Sequence, residues 1–296
     1  MKRVVFSFLA LLFCVVASAD EKQPRPRILG ISRVDFYSTN IAAARGFYSD
    51  VLHPEGECLW CEQIPRSPLS IMLSLNQMLT LSTAQGTPPS NLLSEIDFAV
   101  ENLKVLKSYL IANKIQFSED KKNYFLSLKD PEGHRVGFVE QQAHATQGVP
   151  GFKAVRLIHV GFVVHDRAAE DSFYKDILGF HVYWHGGMKE GEDHWVDMQV
   201  PDGTDWIEYM LNVPADASHK TLGVMNHIAL GVPDIHAAEK QLRANGWTGT
   251  EQPKIGRDGK WQLNLYDPDD TRVEFMEFTP TQKPCCSEYT GPHPKP

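Results

Sequence analysis

The stretch "RLIHVGFVVHDRAAEDSFYKDILGF", residues 156–180, decides the fold, because its plan returns in "MNHIALGVPDIHAAEKQLRANGW", residues 225–247. Each copy opens with a short apolar run of the kind that forms a buried β-strand. An aspartate suited to cap a helix follows, and then an amphipathic helix that ends at a glycine. Each run carries one histidine near its start, His159 in the first and His227 in the second. Two buried strands with a histidine at the same place require a common explanation.

The same plan occurs four times along the chain. The β-rich runs are "GISRVDFYST" (30–39), "SEIDFAVE" (94–101), "RLIHVGFVV" (156–164) and "MNHIALGV" (225–232), and the N-cap residues after them are Asn40, Asn102, Asp166 and Asp234. Three further β-like runs complete each unit, which predicts β-α-β-β-β. Units one and three match as "NIAAARGFYSDVL" (40–52) and "DRAAEDSFYKDIL" (166–178), and units two and four as "LKDPEGHRVGFVE" (128–140) and "LYDPDDTRVEFME" (265–277). We therefore expect two domains of two units each.

The first 19 residues have the pattern of a secretory signal. Lys2 and Arg3 precede an apolar run over residues 4–16, and "ASA" at 17–19 is a typical cleavage site. We expect a secreted or periplasmic protein, cleaved near Ala19 and free of the membrane afterwards. The net charge of −8, without a basic stripe, argues against a nucleic-acid partner. The oligomeric state stays open.

Four cysteines follow the signal: Cys58, Cys61, Cys285 and Cys286. An even number in an exported chain predicts disulfides, with three possible connectivities. Because "CLWC" (58–61) follows a turn inside a β-α-β-β-β unit, we expect a structural disulfide rather than a redox pair. Pairing with the tail cysteines would tie the C-terminus to the N-terminal domain, and a four-thiolate metal site is a further alternative.

Strand periodicity places the two histidines on the face opposite the helices. If Ile158 and Val160 pack under a helix, His159 and Gly161 face the other way, since alternate residues of a strand face opposite sides. By the same count Ile228 and Leu230 pack inward, and His227 shares its face with Ala229 and Gly231. The histidine face therefore carries small residues, as if space were left beside the rings.

Two glutamates share the histidine face. Glu208 in "DWIEYMLN" (205–212) and Glu274 in "TRVEFMEF" (271–278) lie in the middle of apolar strands. A carboxylate buried without a partner is very costly. A single strand histidine is ordinarily a hydrogen-bonded core residue, and a single glutamate ordinarily faces water. The repetition of a His-Glu set in consecutive units favours a metal site instead.

The motifs quoted above, with "WIEYMLN" (206–212), resemble the vicinal oxygen chelate superfamily, which includes glyoxalase I, extradiol dioxygenases, and fosfomycin and bleomycin resistance proteins. The resemblance spans about residues 28–280 and is strongest from 155 onward. It implies an α+β fold in which four βαβββ modules pair into two open barrel-like domains. It also implies one divalent metal, Ni, Zn, Co, Mn or Fe, on the ligands His159, Glu208, His227 and Glu274.

The N-terminal half departs from that pattern. Its equivalent positions hold Arg33, Thr80, Glu95 and Gly137, so no metal is expected there. The predicted organisation is a degenerate domain at 28–142, a linker at 143–154, a metal-binding domain at 155–280 and a Pro-rich tail at 281–296. The N-terminal domain would serve as a structural partner or as part of the substrate mouth.

The resemblance leaves three functions open. The first is a glyoxalase-like lyase or isomerase, in which the metal holds neighbouring oxygens of a small substrate and Glu208 or Glu274 is the general base. Asn212 resembles a glutathione-contacting position of that family, whereas Val163 stands where a basic residue is typical. The second is an extradiol dioxygenase with Fe(II) on His159, His227 and Glu274, although Asn264 stands where its signature has a tyrosine.

The third function is a protein that binds a small molecule without turnover. Its cleft would be lined by aromatic residues and methionines, which suit an apolar or aromatic ligand but are also ordinary core residues. Arg257 and Lys260 would meet an anionic group, and His194 is a candidate base or an ordinary loop histidine. The predicted pocket residues are His194, Trp195, Met210, Asn212, Arg257, Lys260, Trp261 and Met276.

Overall fold

Two mixed β-sheets, each built around four central strands, organise the chain. The structure is a computed structural model that describes residues 24–52, 68–74, 76–141 and 156–296. The signal at 1–19, the linker at 143–154 and the "CLWC" motif lie outside the described residues, and the predictions made for them stay predictions. Within the described residues no helix is long and apolar enough to cross a membrane.

The N-terminal sheet has seven strands in the order β2-β3-β1-β4-β7-β6-β5. Its elements are β1 (Ile28–Ser38), α1 (Ile41–Arg45) with a π-helical continuation (Gly46–Val51), β2 (Leu69–Ser74), β3 (Gln77–Thr83), β4 (Leu93–Val100), α2 (Leu103–Ala112), β5 (Ser118–Asp120), β6 (Phe125–Lys129) and β7 (Arg135–Glu140). In the four central strands, β1 is parallel to β3 and antiparallel to β4, and β4 is parallel to β7.

The C-terminal sheet has eight strands in the order β13-β14-β15-β12-β8-β11-β10-β9. Its elements are β8 (Arg156–Val163), α3 (Arg167–Glu170) with a π-helical continuation (Asp171–Ile177), β9 (His181–Gly186), β10 (Trp195–Gln199), β11 (Trp206–Met210), α4 (His219–Met225), β12 (His227–Val232), α5 (Ile235–Ala244), β13 (Lys254–Ile255), β14 (Trp261–Tyr266) and β15 (Arg272–Glu277). The four central strands repeat the pairing of the first sheet, so the predicted α+β fold with paired modules is confirmed.

Local sequence signals set the helix boundaries. Each predicted N-cap side chain accepts a hydrogen bond from the backbone N–H three residues on, as in Asn102 to Val105 and Asp234 to Ala237. Gly179 and Gly246 have φ angles of 82° and 95°, which favour glycine at a helix end. Helix α4 was not predicted; Ser218 caps it by accepting from Thr221 N–H.

The two domains share one hydrophobic core and meet in two related interfaces. Residues of both sheets, such as Phe98 and Phe162, belong to the same buried cluster. The helix of module one contacts the last turn of module four, where the Tyr48 hydroxyl donates to Asp267 at 3.0 Å. The helix of module three contacts the last turn of module two, where Tyr174 donates to Asp130 at 3.2 Å. These contacts relate the two interfaces by an internal pseudo-symmetry.

Gln77 links the two sheets through backbone atoms. Its amide nitrogen donates to the Leu157 carbonyl at 2.8 Å, and its amide oxygen accepts from the Leu157 N–H at 2.9 Å. The Gln77→Ala variant is expected to lose about 2–3 kcal/mol of unfolding free energy, because two buried backbone groups lose their partner. Chemical denaturation measures the loss, with the exposed Gln116→Ala as control. A loss below about 0.5 kcal/mol, the range of an ordinary surface change, would refute this role.

An irregularity in β8 corrects the predicted orientation of its first residues. A β-bulge opposite Ala229 and Leu230 interrupts the alternation of β8. Leu157 therefore packs in the main core, and Ile158 packs on the site face with Trp206. A two-residue period cannot follow such a bulge.

The tail is held along the C-terminal domain. The Thr290 N–H donates to the Tyr183 carbonyl, and Arg156 donates to the carbonyl of Lys295 at 2.8 Å. Cys285 and Cys286 form a disulfide with each other. This pairing belongs to one of the three connectivities left open, and the alternatives that join the tail cysteines to Cys58 and Cys61 do not occur in this structure.

Candidate metal centre

The four predicted ligands come together on two adjacent rows of the C-terminal sheet. Glu208 of β11 is in register with Gly161 of β8, which in turn pairs with His227 of β12. The neighbouring row contains His159 of β8, Ala229 of β12 and Glu274 of β15. Each row thus alternates a ligand-type side chain with a small residue, and all four polar side chains rise from the same face.

The ligand atoms converge at distances that suit a single ion. His159 Nε2 lies 3.1 Å from His227 Nε2, and Glu208 Oε2 lies 3.1 Å from His227 Nε2. Glu274 Oε2 is 3.7 Å from Nε2 of each histidine. Ligands about 2.0–2.2 Å from one ion are separated by roughly 3–3.6 Å at tetrahedral or octahedral angles. His159, Glu208 and His227 bring one ligand atom each within 4.8 Å of one another, and Glu274 lies beside this group at 3.7 Å from both imidazoles, so the residues present fit a divalent metal.

Small residues make room for the rings. A Cβ added at Gly161 would lie 2.0 Å from Cε1 of His227, so only glycine is compatible with this ring position. His159 is 1% exposed and its ring lies 4.8 Å from that of Trp206. The predicted space beside the histidines is thus filled by the histidines themselves.

The histidines are neutral and one is oriented for ligation. Burial lowers the pKa of His159 and His227 well below the ordinary value, and in His159 the proximity of His227 adds to the effect. With its proton on Nδ1, His227 donates a hydrogen bond to the Met225 carbonyl at 3.0 Å, which leaves the lone pair on Nε2, toward the cluster. Within the described part of the chain, the buried Nδ1 of His159 has no hydrogen-bond partner.

The glutamates are buried acids. Burial raises the pKa of Glu208 and of Glu274 to about 7, and the guanidinium of Arg272 opposes the shift in both. Arg272 also donates to His227 Nε2 at 2.6 Å. A cation thus already lies against the predicted ligands, and a metal on Nε2 would exclude this contact because the nitrogen has one lone pair.

Metal affinity at this cluster is expected to rise steeply with pH up to about 7. Below pH 7, Glu208 and Glu274 are largely protonated, and both protons must leave before the carboxylates bind an ion. The Zn²⁺ dissociation constant should therefore fall by roughly ten- to a hundred-fold per pH unit below 7 and level off above it. Titrations at pH 6, 7 and 8 measure this dependence, and equal constants at the three values would refute it.

A cavity of about 350 Å³ opens onto the cluster. His159, Glu208 and Glu274 line it, and His227 is fully buried beside them. Its walls combine aromatic and methionine side chains with charged groups. The remaining lining residues are Trp184, Met188, Trp195, Asp197, Trp206, Lys254, Ile255, Gly256, Arg257, Asp258, Gln262, Asn264, Arg272 and Met276.

Three of the predicted pocket residues line this cavity: Trp195, Arg257 and Met276. The other five lie elsewhere. Met210 packs with Val163, and Trp261 packs against the main core. Lys260 is fully buried, with Nζ 4.5 Å from the centre of the Trp206 ring.

The remaining two are loop residues of the third module. Asn212 is exposed and donates to the Asp193 carbonyl. Nδ1 of His194 lies 3.4 Å from the N–H of Met188. A side chain can be central in its strand or loop and still point away from the cavity, which a list of aromatic and polar residues does not reveal.

Sequence reasoning missed Asp197 and Arg272. Asp197 pairs with Glu208 across β10 and β11, is 4% exposed and lines the cavity. Burial, followed by the charge of Glu208, raises its pKa well above the ordinary value. The signal was available, because Asp197 interrupts "WVDMQ" (195–199) as Glu208 interrupts its own strand, and Arg272 lies two residues from Glu274 on the same face.

The N-terminal sheet carries charge pairs at the equivalent positions. When the strand pairing of the two sheets is compared, each ligand candidate has an equivalent position in the N-terminal sheet. His159, Glu208, His227 and Glu274 correspond to Arg33, Thr80, Glu95 and Gly137, in that order. Arg33 Nε lies 2.8 Å from Asp97, whose own position corresponds to Ala229. The same fold thus places an arginine–carboxylate pair where the second domain has an imidazole and a small residue.

Comparison with known proteins relates the C-terminal half to one family. Residues 156–275 match the family model described as the Glyoxalase/Bleomycin resistance protein/Dioxygenase superfamily, and the four ligand candidates lie inside this range. Lactoylglutathione lyase of Haemophilus influenzae is 26% identical over 130 residues, which are 43% of this chain and 96% of that protein.

Solved structures match more of the chain at lower identity. The anaerobic substrate complex of homoprotocatechuate 2,3-dioxygenase from Brevibacterium fuscum, which contains 3,4-dihydroxyphenylacetate, has a TM-score of 0.63 at 20% identity. It covers 91% of this chain and 84% of that one. A room-temperature structure of an extradiol ring-cleaving dioxygenase from B. fuscum has a TM-score of 0.62 at 21% identity and covers 90% of this chain and 75% of that one. At these identities the likeness establishes a shared fold.

Proposed function

We propose that the chain is a member of the superfamily whose model matches residues 156–275, and that it is a metal-dependent lyase or isomerase of the glyoxalase type. The relatives named above are enzymes, which supports catalysis over simple binding. The proposed substrate is a small molecule with oxygens on adjacent carbons, at least one of them a carbonyl.

The position of Glu208 carries the choice of reaction. Its Oε2 lies 3.1 Å from His227 Nε2 and 3.8 Å from His159 Nε2. A ring-cleaving site of two histidines and one carboxylate would use Glu274 and leave Glu208 as a surplus buried acid. Here Glu208 lies at ligand distance, which supports a site of two histidines and two glutamates.

The residues that would hold the ion are His159, Glu208, His227 and Glu274. When bound, a divalent ion acts as a Lewis acid on adjacent substrate oxygens and so acidifies the neighbouring C–H bond. The protein's part is to position those oxygens, to keep both imidazoles neutral and to supply a base.

We assign the base to Glu208. Its side chain is 13% exposed, against 4% for Glu274, so it is the more accessible from the cavity. A carboxylate oxygen of Glu208 that is not bound to the ion would take the proton from the hydroxyl-bearing carbon and return it to the former carbonyl carbon, while the hydroxyl proton passes to the former carbonyl oxygen, so the isomerisation involves no net change of protons. Without an ion, burial raises the pKa of Glu208 to about 7, and a bound divalent cation would lower it, so the carboxylate is ionised and able to act as a base at neutral pH.

The cavity walls support a substrate with an apolar or aromatic body and an anionic group. Trp184, Trp195 and Trp206 supply flat apolar surfaces, and Lys254 and Arg257 supply positive charge. The volume of about 350 Å³ is at the lower end for ligand sites, which favours a small substrate.

An activity panel tests the proposal. The protein is loaded with Ni²⁺ or Zn²⁺ and offered α-hydroxycarbonyl compounds and hemithioacetals of dicarbonyls, and isomerisation is followed by absorbance. A parallel sample is loaded with Fe(II) anaerobically and then mixed with oxygen and a catechol. Turnover in the first arm supports the proposal. Oxygen uptake in the second arm, or tight ligand binding without turnover in either, would overturn it.

We further propose that this chemistry takes place outside the cytoplasm. The support is the basic, apolar and small-residue pattern of residues 1–19. N-terminal sequencing of the protein from its native host is expected to start at Asp20. A start at Met1 would refute export by this signal.

A further inference from the structure

A second cluster of ligand-type side chains lies at the interface between the domains. Asp130, His134 and Glu170 bring one candidate ligand atom each within 4.8 Å of one another. Asp130 and His134 belong to the turn between β6 and β7 of the N-terminal domain, and Glu170 ends α3 of the C-terminal domain. None of the three belongs to the cavity or to the first metal centre.

The cluster is closely packed and rich in acceptors. His134 Nδ1 lies 2.8 Å from Asp130 Oδ2, and Tyr174 donates to the same oxygen at 3.2 Å. Glu170 is fully buried, and its Oε1 accepts from the Glu132 N–H at 3.0 Å. Two buried carboxylates of opposite domains therefore meet beneath the surface, each with a side chain that the protein covers.

Two buried oxygens at this place have no partner. With both acids ionised, Glu170 Oε2 has no hydrogen-bond donor among the described residues, and the hydroxyl of Tyr209, whose ring centre lies 6.1 Å from that of Tyr174, has no partner among them. Glu170 is 0% exposed, so water does not satisfy its oxygen from outside. A bound cation would give this buried carboxylate oxygen the partner that it lacks.

The pseudo-symmetric interface shows that the fold does not require these side chains. There, Tyr48 donates to Asp267 as Tyr174 donates to Asp130. The residue four positions before Tyr48 is Ala44, in the place of Glu170, and the residue four after Asp267 is Thr271, in the place of His134. The aspartate–tyrosine contact thus exists without a glutamate or a histidine beside it.

We propose that Asp130, His134 and Glu170 form a second divalent-metal site that ties the two domains together. One imidazole and two carboxylates are a ligand set that suits Zn²⁺, with a fourth position left for water. Asp130 also lines an open groove between the domains, bounded by Leu128 and Phe173, which gives an ion access from solvent. The site is structural, because it lies apart from the cavity that binds the substrate.

Metal stoichiometry tests this site separately from the proposed activity. The tag-free full chain is dialysed with Zn²⁺, and bound zinc per chain is measured by mass spectrometry and by calorimetric titration. Wild type is expected to bind two ions, and Glu170→Ala and His134→Thr one each. Both variants install residues that the related interface already carries, so folding is expected to be kept. Glu190→Ala, which removes an exposed acid, should still bind two.

The His227→Ala background distinguishes the two centres. Zinc should raise the melting temperature of His227→Ala but not that of His227→Ala/Glu170→Ala. One ion in wild type that His227→Ala removes, or two ions retained in both Glu170→Ala and His134→Thr, would overturn the second site. Neither result depends on turnover, so failure of the proposed reaction leaves this test unaffected.

Discussion

The His227→Ala variant is expected to bind a divalent ion at the cavity site roughly 10²- to 10³-fold more weakly than wild type and to lose measurable turnover. Structural zinc sites gain about 10–16 kcal/mol from four ligands, so one ligand accounts for about 2.5–4 kcal/mol. His227 Nε2 lies 3.1 Å from both His159 Nε2 and Glu208 Oε2, so its loss opens the centre of the cluster. Equilibrium dialysis in the Glu170→Ala background isolates this site.

His165→Ala is the matched control for that experiment. His165 is an exposed histidine just after β8, and its removal should leave affinity and turnover within about twofold of wild type. If His227→Ala bound metal as tightly as this control, the proposed ligand set would be wrong. Circular dichroism spectra of the two variants establish that both are folded.

The Glu208→Gln variant is expected to lose about 10²- to 10⁴-fold in kcat while keeping most of its metal. The amide cannot accept the substrate proton, which removes general-base catalysis. Its oxygen still ligates, so affinity should fall less than in His227→Ala. The acidic limb that protonation of Glu208 imposes on the kcat profile should disappear in the variant.

Glu274→Gln separates ligation from proton transfer. Glu274 is 4% exposed, so its replacement should weaken metal binding, while kcat at saturating metal falls far less than in Glu208→Gln. The exposed Glu192→Gln is the neutral control. Equal kcat losses in Glu208→Gln and Glu274→Gln would contradict the assignment of the base, and an unchanged kcat in Glu208→Gln would contradict the mechanism.

Periodicity explains what the sequence could predict. Alternation along β11, β12 and β15 was uninterrupted at the ligands, so the face of Glu208, His227 and Glu274 follows from counting by twos. The same count failed at Ile158, because a bulge adds one residue that no local pattern announces. The repeat of the whole unit was the stronger signal, because equivalent strands of two units carry a histidine at the same position.

Strand periodicity and the sequence repeat do not predict contacts between modules. Glu170 lies beside Asp130 because the helix of one module packs on the turn of another. The spacing of residues along the chain does not predict that contact. The tail carries no hydrophobic period, so its hydrogen bonds to Tyr183 and from Arg156 could not be foreseen. Asp197, by contrast, was missed although its strand showed the signal.

The N-terminal domain shows what the fold does without the ligand set. Arg33, Asp97 and Asp35 form an ion-pair group where the other domain has an imidazole and two small residues. Burial, opposed by Arg33, raises the pKa of Asp97 to about 8. The βαβββ pair is therefore a scaffold that accepts either charge pairs or metal ligands at the same register.

The most direct test of the central proposal is a crystal structure of the metal-loaded Glu170→Ala variant, with anomalous data collected at the absorption edge of the metal. We expect one ion in the cavity, coordinated by His159, Glu208, His227 and Glu274. An ion held by His159, His227 and Glu274 with Glu208 outside its coordination sphere would contradict the glyoxalase-type site, as would an ion bound away from these four residues.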